Sequence, residues 1–350
     1  MKRTKNIYDK ICTFDNIKLA YNYAKRGKQH RRDVVIFSSN LEENLLDIQS
    51  DLMNLTYEIG KYRTFFVNDP KKRLVMALPF RDRVVQWAIY LQVNPILDRR
   101  YINTSYACRI GGGMQRAAKQ LQRYMRVQQG KCFVLKMDVS KYFYRVNHDT
   151  MVDIIRRIFN DDRLCWLLEK IIRGDEKFGI QLDDYNFDGE RVTGVGMPIG
   201  NLTSQMFANM YLNELDQFCK HKLSAKYYVR YMDDVCIVSD SKRELRNIWV
   251  LSEAFLNHKL KLKLNNKTMI RGVNQGVDFC GFRIWVDHIR LRKKTALKMK
   301  HRLKYLRKKY SEGFVELITL KCSLFSYIGQ LKHCDGYMLT RSILSKICLE

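Results

Sequence analysis

Proline is scarce in this 350-residue chain (4 residues), glycine is modest (18), and no apolar run approaches the ~18 residues of a membrane-crossing helix. The first two shortages argue against long disordered linkers, and the third against a membrane span. The opening segment MKRTKNIYDKI is basic but has no apolar centre, so a secretory signal is not expected. The 10 cysteines are scattered without a CxxC pair. That sets a zinc site aside and fits reduced, mostly packed thiols in a cytoplasmic protein. Acidic residues are also few: 36 against 63 Lys and Arg, a formal charge of +27. Charge of one sign at that level repels itself in a compact chain, and a polyanionic partner offsets it. With 20 Tyr, 17 Phe and 4 Trp interleaved among the bases, nucleic acid is the expected partner rather than anionic lipid.

At 46% hydrophobic the chain can bury a core shared by two or three lobes. Periodicity predicts helices within 15–60, over 81–100 and 114–127, and as a pair across 147–173. A further helix runs from Asn201 to about Cys219, with Met206, Phe207, Met210 and Tyr211 as its stripe. Residues 61–80 predict two short strands around a turn at Asn68-Asp69-Pro70, and 181–193 a polar loop. FVLKM (133–137) predicts an apolar strand that ends on Asp138. The last 60 residues return to helix, with a basic opening at Arg290, Arg292, Lys293, Lys294, Lys298 and Lys300. The expected core has three strands with packed helices, an α+β order rather than a βαβ one.

The segment YYVRYMDDVCIVS sets two strand-like runs, Tyr227–Met232 and Val235–Val238, around Asp233-Asp234. Asp-Asp is poorer hairpin chemistry than Asn-Gly or Asp-Gly, so a task for the two carboxylates is the natural reason to find them there. Adjacent carboxylates repel, and a divalent cation relieves the repulsion. Mg²⁺ is typically held by one or two carboxylates plus substrate phosphates. If the strand ending on Asp138 is a neighbour, all three carboxylates converge on one sheet edge. A bare Asp-Asp is more often a solvated turn, so the surrounding motifs must decide.

Those motifs resemble a known family. YMDD between apolar runs is similar to the reverse-transcriptase signature, and LKMDVSKYFYRVNHD around Asp138 to the family's upstream metal-binding motif. GMPIGNLTSQ resembles the motif between them, and VDFCGFRI (277–284) the primer-grip segment. KKRLVMALPFRDRVVQWAI (71–89) and SYACRIGGGMQRA (105–117) resemble fingers motifs of retron, group II intron and related bacterial enzymes. The matches keep family order from about residue 60 to 335.

The resemblance implies an α+β right-hand polymerase with a short helical thumb. It implies fingers (first part) over 1–130, palm (first part) over 131–149, a fingers/palm insertion over 150–193, palm over 194–285 and thumb over 286–350. It implies an RNA-directed DNA polymerase that uses two Mg²⁺ ions, with Mn²⁺ as a substitute, held by Asp138, Asp233, Asp234 and Val139. Lys72, Arg73 and Arg81 would meet the incoming triphosphate, and Phe143 would stand as a steric gate against a ribose 2′-hydroxyl. Ile199, Gly200 and Gln205 would line the nucleotide site, and Lys267 would protonate pyrophosphate. Phe279, Cys280 and Gly281 would hold the primer end. Template RNA, cDNA and dNTPs are the implied partners, joined by a small basic accessory protein or a dedicated non-coding RNA, with no membrane.

The middle motif departs from the common Gln-Gly…Ser-Pro pattern: Ile199 replaces the Gln and Gln205 the Pro. That variant resembles reverse transcriptases of diversity-generating retroelements, which copy template RNA with errors at adenines; SYIGQLKHCDGY (326–337) resembles their thumb. Phage-defence and other uncharacterised bacterial reverse transcriptases, and retron-like or intron-derived ones, stay open as alternatives. So does a non-catalytic RNA-binding subunit on the same fold.

Overall fold

A computed structural model describes residues 3–68, 72–128, 131–174, 179 and 191–345. The turn expected at Asn68-Asp69-Pro70 and the loop at 181–193 lie largely outside them. In chain order come helices α1 (Tyr8–Ile11), α2 (Phe14–Lys25), α3 (Arg32–Ser39) and α4 (Leu41–Met53), then strands β1 (Arg63–Val67) and β2 (Arg73–Ala77). Next are α5 (Phe80–Asp98), α6 (Met114–Val127), β3 (Phe133–Asp138), α7 (Tyr142–Arg145), α8 (His148–Ile158), α9 (Asp162–Arg173) and α10 (Leu202–Gln217). Then follow β4 (Tyr227–Tyr231), β5 (Asp234–Ser239), α11 (Lys242–Lys259), β6 (Met269–Gly272), β7 (Val277–Phe279), β8 (Phe282–Ile284) and β9 (Ile289–Leu291). Three helices end the chain: α12 (Lys293–Ser311), α13 (Leu317–Leu331) and α14 (Tyr337–Leu344). No helix among the described residues is long and apolar enough to cross a membrane.

The chain forms two compact units. One takes Met1–Ile102, Val139–Lys222 and Leu251–Asn265; the other takes Asn103–Asp138, Leu223–Val250 and Asn266–Glu350.

In the first unit helix starts are written in the sequence. Thr13, Asn147 and Asp161 cap α2, α8 and α9 by accepting from the backbone N–H of Asn16, Thr150 and Leu164. Asp161 also accepts from the backbone N–H of Ile7 (2.7 Å) and Tyr8 (2.9 Å), tying the N-terminal segment to α9. Buried Asn16 donates to the Ala88 carbonyl of α5 (3.1 Å) and accepts from Gln92 (2.7 Å), so the α2–α5 packing has a polar register pin. β1 and β2 form an antiparallel ladder from Arg63↔Ala77 to Val67↔Arg73.

In the second unit the three-strand core expected from sequence is a four-stranded sheet of order β4-β5-β3-β6, with a separate three-stranded sheet β7-β8-β9. β6 and β7–β9 are only three or four residues long, too short for alternation to stand out. Arg290 lies in β9 and Arg292 caps α12, so the basic helix begins at Lys293. α6, the core strands and the second sheet close around a cluster that includes Ala118, Leu121, Val134, Val229, Phe279 and Phe282. α12 joins it through Met299, Leu303 and Leu306, leaving its Lys and Arg side chains on the other faces.

Candidate active site

The β4–β5 hairpin closes one residue earlier than the sequence suggests. Tyr231 pairs with Asp234 across the ladder, so the two-residue turn is Met232-Asp233 and Asp234 opens β5. Met232 takes φ +55, a value the primed hairpin turns need at that position. The fully buried Arg230 donates from Nη1 to the Met232 carbonyl at 2.9 Å and pins the turn. Because side chains alternate along a strand, Asp234 acquires a fixed facing while Asp233 sits at the tip.

Across the next ladder Asp138 stands directly opposite Asp234. Opposed residues in an antiparallel pair put their Cβ atoms ~4.5–5.5 Å apart on one face. Lys136, two residues before Asp138, shares that face; its Nζ lies 3.1 Å from Asp234 Oδ1 and donates to the Asp278 carbonyl at 2.8 Å. Asp234 Oδ1 is buried and makes no hydrogen bond, so the Lys136 ammonium 3.1 Å away is what offsets its charge.

The donor chemistry of this face fits a hard divalent cation. Carboxylate oxygens are the ligands Mg²⁺ takes. Two nearby thiols are poor competitors: burial first, and then the Asp234 charge, push Cys236 and Cys280 up and hold them protonated against the opposing effect of Lys136. Among the described residues no three His, Cys, Asp or Glu side chains form a metal-holding group by themselves.

Cys280 belongs to the turn between β7 and β8, where Phe279 pairs with Phe282. Cys280 (φ +51) and Gly281 (φ +81) both lie in the left-handed region, the combination of a type I′ turn. Phe279 is 0% exposed in the core cluster, so its side chain is a packing residue; Cys280 is half-buried and a Cβ added at Gly281 would meet open space. Lys267 is exposed in the turn before β6.

The remaining candidates lie in the first unit. Phe143 is half-buried on α7, while its neighbour Tyr142 takes the core position and donates to the Ala208 carbonyl at 2.7 Å. Val139 is buried and bridges Leu264. Lys72 rests its Nζ 4.5 Å over the Phe66 ring, and Arg73 opens β2. Arg81 pairs with Asp51 and lies 5.6 Å over Tyr57, a structural engagement already. Gln205 is exposed in the first turn of α10.

Ile199 is half-buried, and its carbonyl accepts from Met76 N–H of β2 at 2.9 Å. Gly200 follows at φ +123, where an added Cβ would lie 3.0 Å from the Met76 carbonyl oxygen. Gly200→Ala is therefore expected to destabilise the protein by about 1–3 kcal/mol, read as a lower denaturation midpoint at unchanged slope. An unchanged midpoint would mean that the segment relaxes away from β2.

Sequence patterns missed Lys136 as a member of this face. Its signal is a lysine two positions before Asp138 in an otherwise apolar strand, which alternation places beside the carboxylate.

Comparison with known proteins now adds a family. The family model described as reverse transcriptase (RNA-dependent DNA polymerase) matches residues 67–284. Protein YkfC of Escherichia coli is 27% identical over 290 residues, covering 71% of this chain and 73% of its own. The group II intron-encoded protein LtrA of Lactococcus lactis is 23% identical over 343 residues, covering 79% of this chain and 54% of its own. A solved telomerase of Candida albicans, in complex with a telomeric RNA fragment, shares the fold at TM-score 0.51 and 13% identity, over 83% of this chain and 57% of that one. The chain spans about half the length of LtrA and of the telomerase. With the family model covering well over half of its residues, the chain belongs to the reverse transcriptases, RNA-dependent DNA polymerases with a mixed helix-and-sheet fold.

Proposed function

We propose that the chain copies template RNA into cDNA by nucleotidyl transfer from dNTPs, with Asp138, Asp233 and Asp234 as ligands of two Mg²⁺ ions. The observation that carries this is the Asp138–Asp234 opposition across the β3–β5 ladder, inside the family-matched segment. Reverse transcriptases generally use divalent metal ions. When bound, such ions would stabilise charge developing on the attacking and leaving oxygens. Asp138 and Asp234 present their oxygens from paired strands, so their spacing is set by the ladder rather than by loops. Lys136 Nζ lies 3.1 Å from Asp234 Oδ1, so the ammonium offsets part of that carboxylate's charge from within the strand. In the turn of β7–β8, backbone rather than the Phe279 ring would meet a primer end.

In the first unit, Phe143 is the proposed gate against ribonucleotides, supported by its exposure beside the anchored Tyr142. Lys72 and Arg73, at the β1–β2 hairpin, are proposed triphosphate contacts; Arg81 would have to leave Asp51 to join them. The proposed lobes keep the boundaries given above: fingers to 130, palm from 131 with an insertion over 150–193, and a thumb from 286.

We further propose the diversity-generating type, with low fidelity at template adenines. Its support is Ile199, which has neither donor nor acceptor where a Gln would orient the incoming nucleotide. The Met76–Ile199 backbone bond fixes this residue's place, so the substitution is expected to act through its side chain. A contact of about 1–2 kcal/mol changes misincorporation roughly ten-fold. Sequencing cDNA from wild type and Ile199→Gln should show the adenine errors fall by about that factor. Equal, low error rates would remove this reading and favour a defence-associated enzyme.

A further inference from the structure

A cleft of about 730 Å³ opens in the first unit, and none of its lining residues is a candidate for the polymerase site. Its size falls in the ~300–1,000 Å³ range of ligand clefts. Arg3, Arg156, Arg157, Lys259 and Lys261 line it, against the carboxylates of Asp153 and Glu214; His258 adds a titratable group. Glu214 is engaged by Arg157 at 3.0 Å, and Arg156 turns to Glu169 at 3.2 Å. Arg3, Lys259 and Lys261 are exposed and make no ion pair among the described residues.

Part of this charge has an ordinary explanation. Arg156, Arg157 and Lys259 stand in the last turns of α8 and α11, where cations offset the helix dipole. Arg3 and Lys261 do not: one lies in the N-terminal segment that bridges at Thr4↔Phe159, the other beyond the end of α11 at φ +53. Between the bases sits Phe255, a half-buried ring stacked on Phe218 at 4.3 Å and 11°. A second cavity of about 440 Å³ shares Arg3 and Arg156 and adds Trp166 with the carboxylates of Asp162 and Glu169, so the groove continues past Arg3 while the bases stay concentrated in the first cleft.

We propose that this groove binds a short run of single-stranded nucleic acid, separate from the template–primer at the polymerase site. Phosphates take the charge of Arg3, Lys259 and Lys261, and an unstacked base packs beside Phe255. A duplex keeps its bases stacked and has nothing to offer the ring. A free phosphate leaves the elongation of the groove unused.

The test uses fluorescence anisotropy of a labelled 12-nucleotide RNA, its DNA counterpart and a 12-base-pair duplex, each with excess unlabelled template–primer and across a KCl series. Arg3→Glu/Lys259→Glu/Lys261→Glu is expected to weaken single-strand binding at least ten-fold. The log–log salt slope should flatten by about two units, the value for three phosphate contacts on a single strand. Extension on a short template–primer should be unchanged. Phe255→Leu, which keeps apolar volume, should weaken the single strands several-fold, leave the salt slope alone and spare the duplex. Comparing the RNA and DNA arms tells which strand the groove takes. Single-strand binding and salt slope equal to wild type in the triple variant overturn the proposal, as does a Phe255→Leu effect equal on duplex and single strand. Because the readout is binding, inactive wild-type protein would count against the polymerase reading and leave this site standing.

Discussion

Asp138→Asn should lower primer extension by about 10²-fold or more while RNA affinity stays within about two-fold of wild type. Electrostatic stabilisation of transition-state charge is usually the largest catalytic contribution, and losing one carboxylate ligand removes it at its source. RNA affinity comes instead from bases distributed over a chain of +27 and does not depend on one carboxylate. Stability supplies a second signature. Asp138 faces Asp234 across the ladder, with the Lys136 ammonium 3.1 Å from Asp234 Oδ1, and the substitution keeps the side chain's size and shape. The unfolding free energy should therefore stay within about 1 kcal/mol of wild type. Activity lost together with stability would mean that the substitution damages the fold, and activity retained near wild type would mean that Asp138 is no ligand. Asp233→Asn should show the same loss of extension.

Phe279→Ala should destabilise the protein by about 3–5 kcal/mol, the range for deleting a buried phenyl ring. The ring is 0% exposed in a cluster with Val229, Cys236 and Phe282, so removing it takes away buried apolar contacts on every side. Phe279→Leu keeps most of the volume and should cost under about 1.5 kcal/mol. Primer extension should follow the folded fraction in both variants, since the ring supports the Cys280-Gly281 turn without reaching nucleic acid. If Phe279→Leu is as stable as wild type but uses primer poorly, the ring has a direct role that its burial does not express.

Much of this site was legible in the residues. YMDD between apolar runs and FVLKM ahead of Asp138 placed the carboxylates at strand ends, and the ladder between β3 and β5 joins those strands. The turn was misplaced by one residue because apolarity alone cannot say which residue closes a hairpin. Met232 looks like a strand residue, but its positive φ and the Arg230 bond to its carbonyl put it in the turn. The second sheet was not visible because each of its strands has three residues, and its register depends on tertiary packing under α6 and α12. Phe279 was read through its motif as a primer contact, whereas alternation from Val277 puts both residues on the buried face. The cleft at Arg3 and Lys261 had no sequence signal, because its bases come from three separate parts of the chain.

The central claim, a divalent-cation site on Asp138, Asp233 and Asp234 that serves RNA-templated DNA synthesis, is tested most directly by primer extension. An RNA template with a DNA primer and dNTPs is incubated with wild-type protein over a Mg²⁺ series and again with excess chelator. The expected result is extension that rises with Mg²⁺, stops with chelator and returns when Mg²⁺ is restored, with Asp233→Asn inactive throughout. Extension that persists in chelator, or equal extension by Asp233→Asn, would contradict the account.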